Sequence, residues 1–274
     1  MIIPVENPCR PLACPSLYDR SRPLEIEVGC GRGRFLTGRA AQHPECEFLG
    51  IERMRERVNV FDAKTKRLKL ENTHVVRLEA LYTFWYLLPA HHARRVYVFF
   101  PDPWPKKKHH SHRLFGPLFL NALWKRLEIG GKLEFATDHR EYFETVKECF
   151  AADSRFAAVE PMARPKEVWT EFETMFREQG LPIYSAAWKS LPADDALRGG
   201  GAVPAPRFER VEPMARPKEV WTEFETMFRE QGLPIYSAAW EALEADDAPL
   251  APLTIPPELE PREGLYRRDF GGIV

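Results

Sequence analysis

The stretch LEIEVGCGRGRF, from Leu24 to Phe35, holds the sharpest structural signal in the chain. Its first half alternates apolar and acidic residues, which is typical of a β-strand. Its second half spaces the glycines Gly29, Gly31 and Gly33 and then passes into a helical pattern. Because glycine lets a backbone turn sharply and approach a ligand closely, the stretch predicts a strand, a tight turn and a helix around a binding site.

The spacing of the glycines distinguishes between the classes of ligand that such a turn can bind. A dinucleotide-binding GxGxxG pattern needs glycine where Arg34 stands, and a phosphate-binding P-loop needs a lysine that does not follow. With Glu27 ahead of them, the glycines form ExGxGxG. This pattern favours S-adenosylmethionine, which has a sulfonium and an amino acid end instead of a pyrophosphate. The alternative is a strand-to-helix turn that binds nothing.

Outward from this stretch, strand-like runs alternate with segments of helical period. Such alternation predicts an α/β fold in which helices cover both faces of a parallel sheet. Ligands of such folds bind at the carboxyl ends of the strands, near the switch point after the first strand. The strand-like runs are 24–29, 46–51, 74–78, 95–100 and 132–137, and the helical segments are 34–42, 53–70, 80–88, 115–127 and 140–150.

Two glutamates close the second and third strand-like runs. Glu52 stands 19 residues after Gly33, where an acidic side chain can accept hydrogen bonds from both ribose hydroxyls of a nucleoside. Glu79 follows the third run and is a candidate for the adenine side of the same ligand. A surface glutamate at such a position is common, so Glu79 supports the nucleoside less strongly than Glu52 does.

The fourth strand-like run opens into VFFPDPWPKKKHHSHR, from Val98 to Arg113. Asp102 lies between two prolines that stiffen the turn and keep it out of helical conformations. Trp104 offers a face on which a nucleic-acid base can stack. The basic residues after it can neutralise phosphates: Lys106, Lys107, Lys108 and Arg113, with His109, His110 and His112 as further donors. A zinc site formed by the histidines is the alternative, but no fourth ligand is nearby.

Charge and cysteine content narrow the class of protein. The net charge of -1 over 274 residues conceals +7 in residues 1–150 and -8 in residues 151–274, so the first part is the expected anion-binding part. Five scattered cysteines without a CxxC pair predict reduced thiols. No apolar run is long enough to span a membrane, and the Pro-rich start lacks the regions of a signal peptide. We expect a cytoplasmic protein.

An internal repeat sets the domain plan. Residues 159–188 and 211–240 are identical, which is typical of a recent tandem duplication rather than of a solenoid. We expect a catalytic domain over 1–190, a linker over 191–210, a redundant second copy over 211–240 and a Pro-, Ala- and acid-rich tail over 241–274.

Four motifs in order resemble the bacterial tRNA (guanine-N7-)-methyltransferase family of the TrmB type. These motifs are EIEVGCGRG, FFPDPWPKKKHHSHRL, ATDHREYFE and WTEFETMFREQGLPIY, and the likeness covers about residues 24–188. The resemblance implies a Rossmann-like class I methyltransferase fold, a mostly parallel sheet with one antiparallel strand. It further implies S-adenosylmethionine as cofactor and tRNA as partner, with methylation of guanosine 46 in the variable loop.

The resemblance also implies roles for single residues. Cofactor contacts would come from Glu27, Glu52, Glu79 and Asp102 around the glycines, with Asp102 as the catalytic residue; at Glu79 the family usually has Asp or Asn. Contacts with tRNA would come from Lys106, Asp138, Thr170, Glu171, Phe172 and Glu173.

Two other functions remain open from the sequence. An Asp-Pro-Pro-aromatic type of turn also suits a methyltransferase that acts on an exocyclic amine of another nucleic acid. A catalytically silent RNA-binding protein would keep the fold, but the intact glycines and acidic residues argue against it. We expect no metal and a monomer or homodimer, and we expect the first repeat copy to occupy the sheet because it needs the shorter loop.

Overall fold

The computed structural model describes residues 1–5 and 11–192 in full and the backbone of residues 207–211 and 239–243. The chain divides into two compact units, Met1–Gly200 and Gly201–Val274. Among the described residues, no helix combines the length and the apolar character needed to cross a membrane.

The first unit is built on one sheet of eight strands in the order β1-β4-β3-β2-β5-β6-β8-β7. The strands are β1 (Ile2–Ile3), β2 (Leu24–Val28), β3 (Glu47–Glu52), β4 (Thr73–Arg77), β5 (Ala93–Phe99), β6 (Leu127–Thr137), β7 (Phe156–Val159) and β8 (Tyr184–Ser190). Only β8 runs against its neighbours in this unit. The predicted parallel sheet with one antiparallel strand is therefore confirmed.

In the part of the chain that the structure describes, six α-helices and several shorter helical turns connect the strands. The α-helices are α1 (Arg34–Gln42), α2 (Arg55–Leu68), α3 (Ala80–Tyr82), α4 (Pro117–Arg126), α5 (Arg140–Ala151) and α6 (Glu171–Glu178). The shorter turns are 3-10 helices at Pro15–Tyr18, Lys107–His112 and Lys166–Val168 and a π-helical turn at Thr83–Leu87. The predicted helix over 80–88 is thus a short α-helix that passes into a π-helical turn.

The helices cover both faces of the sheet, as predicted. Successive residues of a strand point to opposite faces, and Phe135 and Ala136 of β6 show the two sides. Ala136 packs in a buried cluster with Phe35 of α1. The ring of Phe135 instead contacts Phe115 and Tyr142, the latter from α5. Buried side chains thus lie on both faces of the sheet, and β2 is buried along its whole length.

The order of the strands reverses between β2 and β5, which lie side by side in the sheet. From β2 the chain moves outward through β3 to β4, and it then returns to start β5 on the other side. The loops after β2 and β5 therefore leave the same edge next to each other. This is the switch point at which open α/β sheets bind ligands, and it brings the two predicted motifs together.

The antiparallel strand comes from the first repeat copy. β8 lies between β6 and β7, and its Trp188 stacks on Phe150 of α5 with ring centroids 4.0 Å apart. The expectation that the first copy occupies the sheet agrees with this pairing.

The second unit contains a hairpin of two strands, β9 (Arg207–Val211) and β10 (Ala239–Leu243). It pairs Ala239 with Val211, whereas β8 and β7 pair Ala187 with Val159. Ala239 lies 52 positions after Ala187, and Val211 lies 52 positions after Val159. The second hairpin therefore repeats the register of the first. The hairpin therefore includes residues 207–210 of the predicted linker and 241–243 of the predicted tail, because the repeated unit extends beyond the identical residues. The domain plan itself stays a prediction.

Paired substitutions distinguish the copies, because deleting either one leaves the same polypeptide. We expect Trp188→Phe to lower the free energy of unfolding by about 1 to 2 kcal/mol, since it removes part of a buried ring. The matched change Trp240→Phe is expected to leave the main unfolding transition unchanged. Denaturant unfolding of both variants checks this, and equal losses would show that the copies share the position in the sheet.

Candidate active site

The glycine loop after β2 has the backbone that its sequence predicts. Gly29, Gly31 and Gly33 have φ values of 70°, 54° and 71°, in the left-handed region that favours glycine. The backbone N–H groups of Gly29 and Cys30 both donate to the carbonyl of Ile51, over 2.8 and 3.2 Å. The loop is thereby tied to the end of β3.

The three glycines differ in what surrounds them. A Cβ atom added at Gly33 would lie 2.1 Å from the Phe61 ring, so this glycine allows α1 and α2 to pack closely. At Gly29 and Gly31 an added Cβ would meet nothing within 4 Å. The backbone there borders open space, which is the cradle that a close-lying ligand requires.

Glu27 of β2 is a buried carboxylate whose interactions are incomplete. Its Oε2 atom has no hydrogen-bond partner among the described residues. Burial raises the pKa of Glu27 well above its usual value, and the neighbouring charge of Glu52 adds to this effect. Buried polar groups normally find partners, so Glu27 is suited to a cationic or hydrogen-bond-donating ligand.

Glu52 and Glu79 close their strands as predicted, and both bind backbone N–H groups. Glu52 accepts from Gly31 over 3.0 Å and from Arg53 and Met54 over 2.8 and 2.9 Å. Glu79 caps α3 by accepting from the N–H groups of Leu81 and Tyr82. Glu52 therefore fixes the shape of the glycine loop, and each carboxylate still has lone pairs for a ligand.

The residues at this edge fit S-adenosylmethionine. The amino group and the sulfonium of that cofactor match the unpartnered oxygen of Glu27, and the open space beside Gly29 and Gly31 admits its chain. Glu52 and Glu79 stand at the ends of the next two strands, where a nucleoside would lie. Contacts of the cofactor with these five residues remain predictions.

The loop after β5 holds Asp102 in a strained turn. Phe100 and Trp104, on either side of it, have φ values of 52° and 43°, which cost energy in non-glycine residues and cluster at functional sites. The N–H of Phe100 donates to the carbonyl of Ala136 over 2.7 Å. The carboxylate of Asp102 is exposed and forms no hydrogen bond or ion pair with any described residue. It is therefore held in place and free to meet a substrate.

Arg113 anchors the same loop from the far end of the basic stretch. Its Nε atom donates to the carbonyl of Pro103 over 2.8 Å, and its two terminal nitrogens bind both carboxylate oxygens of Glu141 over 3.0 and 2.6 Å. Its guanidinium also lies over the Tyr142 ring. Arg113, predicted to bind phosphate, thus positions the loop in the structure.

The basic stretch forms an exposed turn beside this loop. Lys106, Lys107 and Lys108 are exposed, the last two within the 3-10 helix Lys107–His112. The rings of His109 and His112 pack around Trp104 with centroids 5.8 and 4.9 Å away. Among the described residues no three His, Cys, Asp or Glu side chains are grouped as metal ligands would be. The contact that the structure shows for these two histidines is with the tryptophan.

Asp138 lies at the same edge as Asp102. It follows the last residue of β6, and β6 pairs with β5 so that Ala136 lies opposite Phe99. Asp138 is half-buried, and no described residue forms a hydrogen bond or ion pair with its side chain. The two adjacent strands therefore present two carboxylates at the same edge of the sheet, neither of them paired with a described residue.

The predicted tRNA-contacting run TEFE begins α6. The Thr170 hydroxyl caps the helix by accepting from the N–H of Glu173 over 2.9 Å. Glu173 is fully buried, and its carboxylate pairs with Arg164 and Arg177 over 2.8 and 2.9 Å. Glu171 is exposed, and Phe172 remains 48% exposed. Glu173 is therefore buried and ion-paired, whereas Glu171 and Phe172 lie on the surface.

Comparisons with known proteins agree with this geometry. A family model described as "Putative methyltransferase" matches residues 21–186. A tRNA (guanine-N(7)-)-methyltransferase of Halorhodospira halophila is 34% identical over 183 residues, which cover 64% of this chain and 78% of that protein. The chain belongs to the tRNA (guanine-N(7)-)-methyltransferase family. A protein of the same name from Thermotoga maritima is 34% identical over 182 residues, which cover 66% of this chain and 58% of that protein.

A solved structure supports the fold of this family member. The 16S rRNA methyltransferase KamB aligns with a TM-score of 0.50 at 15% identity, over 65% of this chain and 92% of that one. At such low identity the likeness shows the fold alone. It confirms the predicted Rossmann-like class I methyltransferase architecture.

Sequence reasoning missed two arginines and one glutamate that shape the site of this tRNA methyltransferase family member. Arg164 and Arg177 hold Glu173, and Glu141 holds Arg113. Arg177 follows Glu173 by four residues, a helical spacing that could have revealed this pair. The others lie in separate elements, and the sequence offers no comparable signal for them.

Alanine substitutions at Gly33 and Gly31 test whether Gly33 is required for close packing against Phe61. We expect Gly33→Ala to lower the free energy of unfolding by about 2 kcal/mol or more, because it combines a left-handed backbone with a clash against Phe61. Gly31→Ala adds the same methyl group with similar backbone strain but without the clash. Thermal unfolding checks the order, and an equal loss in both variants would contradict the packing role of Gly33.

Proposed function

We propose that this chain transfers the methyl group of S-adenosylmethionine to N7 of guanosine 46 in the tRNA variable loop. The observation that carries the proposal is the position of Asp102. Its exposed carboxylate lies in a strained loop between the glycine cradle and the exposed basic turn. A base held by that turn would meet a methyl donor held in that cradle.

The reaction mainly requires that the protein hold the methyl donor and the guanine base in the correct relative position. S-adenosylmethionine supplies the methyl group as an electrophile bound to its sulfonium. Guanine N7 has a free lone pair and no proton, so the chain needs no general base. Holding two reactants at near-attack distance can supply roughly 7 to 11 kcal/mol of the barrier. The residues of this site are accordingly binding and orienting groups.

Asp102 and Asp138 have two tasks in this proposal. Their carboxylates accept the N1–H and amino hydrogens of guanine, which adenine does not present in that pattern. They also stabilise the positive charge that develops on the base as N7 is methylated. Both side chains are free of partners among the described residues, so neither must break an ion pair first.

The substrate must present the base outside a regular RNA helix. N7 lies in the deep major groove of an A-form helix, which side chains cannot read. A loop or a tertiary fold can expose it, and a tRNA variable loop does so. The basic turn then holds the surrounding phosphates, and Trp104 and Phe172 offer aromatic faces near the same edge.

Incubation of the protein with unmodified tRNA and labelled S-adenosylmethionine tests the proposal. Mass spectrometry of the digested tRNA should show N7-methylguanosine, and sequencing should place it at position 46. Formation of N6-methyladenosine would instead identify an exocyclic-amine methyltransferase. Absence of S-adenosylmethionine binding in calorimetry would identify a silent RNA-binding protein.

Neutralising the basic turn is expected to weaken tRNA binding in a salt-dependent way. Replacement of Lys106, Lys107 and Lys108 with alanine removes three exposed charges, so fewer counterions are released on binding. The slope of log affinity against log salt should fall by roughly 0.7 for each phosphate that the protein no longer neutralises. Filter binding at several salt concentrations measures it, and an unchanged slope would show that the turn does not bind tRNA.

A further inference from the structure

Four polar side chains form a cluster at the edge of the sheet opposite the glycine loop. Glu47 begins β3, and His74 is the second residue of β4. Cys14 and Ser16 come from the segment that enters the 3-10 helix Pro15–Tyr18. Because parallel strands carry the cofactor residues at their carboxyl ends, this cluster at their amino ends lies outside the proposed methyl-transfer site.

The four groups form a chain of hydrogen bonds. Cys14 Sγ lies 3.4 Å from Ser16 Oγ, and Ser16 Oγ lies 3.2 Å from His74 Nε2. The same Nε2 atom lies 3.1 Å from Glu47 Oε2. His74 and Glu47 are 7% and 3% exposed, and Cys14 retains 9% of its surface. The chain of hydrogen bonds is therefore buried, and it ends at Cys14, the most exposed of these three residues.

The positions of the protons follow from the partners. Arg22 donates to the other carboxylate oxygen of Glu47 over 3.0 Å, so Glu47 has a donor at each of its two oxygens. An ionised carboxylate accepts only, so His74 Nε2 carries a proton directed at Glu47 and Ser16. The Ser16 hydroxyl accepts from that N–H and is left to donate its own proton to Cys14. Such a donor stabilises the thiolate over the thiol.

The acid–base behaviour of the groups agrees with this order. Burial alone would raise the pKa of Cys14, but the interactions with His74 and Ser16 hold it below its usual value. Burial opposes charge on His74 as well, yet its interactions with Cys14 and Glu47 raise the pKa of His74 to about 9. The amino group of Met1 and the phenol of Tyr18 are the other titratable groups that interact with Cys14.

The other described cysteines provide an internal contrast. Burial raises the pKa of Cys30 well above its usual value and that of Cys46 to about 11. Burial also raises the pKa of Cys149, although this thiol is more exposed than Cys14. Reactivity governed by exposure therefore favours Cys149, whereas reactivity governed by thiolate content favours Cys14.

We propose that Cys14 is an oxidative modification site that hydroperoxides convert to sulfenic acid. The Cys14 sulfur attacks one oxygen of the peroxide, so an S–O bond forms as the O–O bond breaks. The bonding electrons leave with hydroxide, which takes a proton from the solvent. Sulfur is oxidised, the peroxide is reduced, and no further reactant is needed. Hydrogen peroxide is little larger than water, which suits the small exposed fraction of Cys14.

The site works independently of methyl transfer. Glu47 and Glu52 are the two ends of β3, which separates the cluster from the glycine loop by about 16 Å at the usual rise of a strand. Cys14→Ser is therefore expected to leave tRNA methylation unchanged. This variant also supplies the negative control for labelling at position 14.

The test uses the full chain with Cys9→Ser, because Cys9 and Cys14 share one tryptic peptide. The protein is treated with hydrogen peroxide at pH 7 and then unfolded in guanidinium with dimedone, which traps sulfenic acid. Mass spectrometry should show a dimedone adduct on Cys14 that forms about ten-fold faster than that on Cys149. Equal labelling, or faster labelling of Cys149, would overturn the proposal.

Substitution of His74 tests the role of the cluster. His74→Gln keeps a hydrogen-bonding side chain but removes the positive charge, and circular dichroism checks its fold. Its Cys14 should be labelled about ten-fold more slowly at pH 7, and the difference should shrink as the pH rises and the thiol ionises without help. Labelling that is unchanged in a folded His74→Gln variant would overturn the assignment. If this variant does not fold, the rates of dimedone labelling at Cys14 and Cys149 in the Cys9→Ser protein still test the proposal.

Discussion

Replacement of Asp102 with alanine is expected to lower kcat/KM for tRNA methylation by about 100-fold or more while the protein stays folded. Asp102 is exposed and has no partner among the described residues, so its loss leaves no buried group without a hydrogen bond. The strained residues Phe100 and Trp104 still shape the loop. A methylation assay with unmodified tRNA and circular dichroism measure the two effects.

Two further variants define what the Asp102 carboxylate contributes. Asp102→Asn keeps the shape of the side chain and loses the charge, so we expect most of the activity to be lost here as well. Glu144→Ala is the matched control, because Glu144 is a half-exposed carboxylate whose salt bridge to Lys147 is a surface pair of small value. Near-normal turnover of Asp102→Ala would remove this residue from the catalytic site.

The sequence predicted the parts of the molecule whose signals are local. Five strands and their alternation with helices follow from strand-like runs of five or six residues, and the glycine loop follows from the spacing of its glycines. The PDPW loop was placed correctly because a parallel fold sends the carboxyl ends of β2 and β5 to one edge. β1 was missed because a strand of two residues, Ile2–Ile3, has no detectable period.

The parts that escaped prediction depend on contacts between distant residues. Glu173 looks like a surface residue within TEFE, yet Arg164 reaches it from the preceding loop and it becomes buried. Arg113 looks like a phosphate ligand, yet Glu141, 28 residues later, turns it into an anchor of the loop. Cys14 and His74 are brought together only by the fold. None of these pairs has the spacing of neighbours on one helix or strand, so only the fold reveals them.

Two buried glutamates on β2 illustrate how position decides between stability and function. Glu25 binds Arg39, Arg94 and Tyr97 over 3.0, 2.7 and 2.6 Å. Although burial opposes it, hydrogen bonds from Arg94 and Tyr97 keep the pKa of Glu25 below its usual value. Glu27, two residues later on the same strand, has an oxygen without a partner and a raised pKa. Glu25 therefore supports the fold, whereas Glu27 remains the predicted cofactor residue.

Glu27→Gln is expected to weaken S-adenosylmethionine binding by about 10- to 100-fold, the value of a hydrogen bond to a charged group. The same change should leave the protein at least as stable as before. A carboxyl whose pKa is raised by folding contributes stability that is fully present below its unfolded pKa and is lost as the pH rises through the folded pKa. Glutamine does not ionise, so it avoids this loss and also removes the repulsion from Glu52.

The pH dependence of cofactor binding gives a second measure of the same group. A cation beside Glu27 lowers its pKa, so binding below the raised pKa of the free protein releases a proton. The affinity for S-adenosylmethionine should therefore rise with pH between the pKa of the bound form and that of the free form, and then level off. Calorimetry in two buffers of different ionisation enthalpy counts the protons released. In Glu27→Gln this proton release should disappear.

The matched control is Glu25→Gln, which changes a glutamate of equal burial on the same strand. It leaves Arg39 and Arg94 without their ionic partner, and breaking such a buried pair costs about 3 to 5 kcal/mol of stability. We therefore expect opposite behaviour: Glu25→Gln unfolds more easily but, where folded, still releases a proton when it binds S-adenosylmethionine. Tight cofactor binding by Glu27→Gln, or a marked loss of its stability, would show that Glu27 is a structural residue and that the cofactor's cationic groups lie elsewhere.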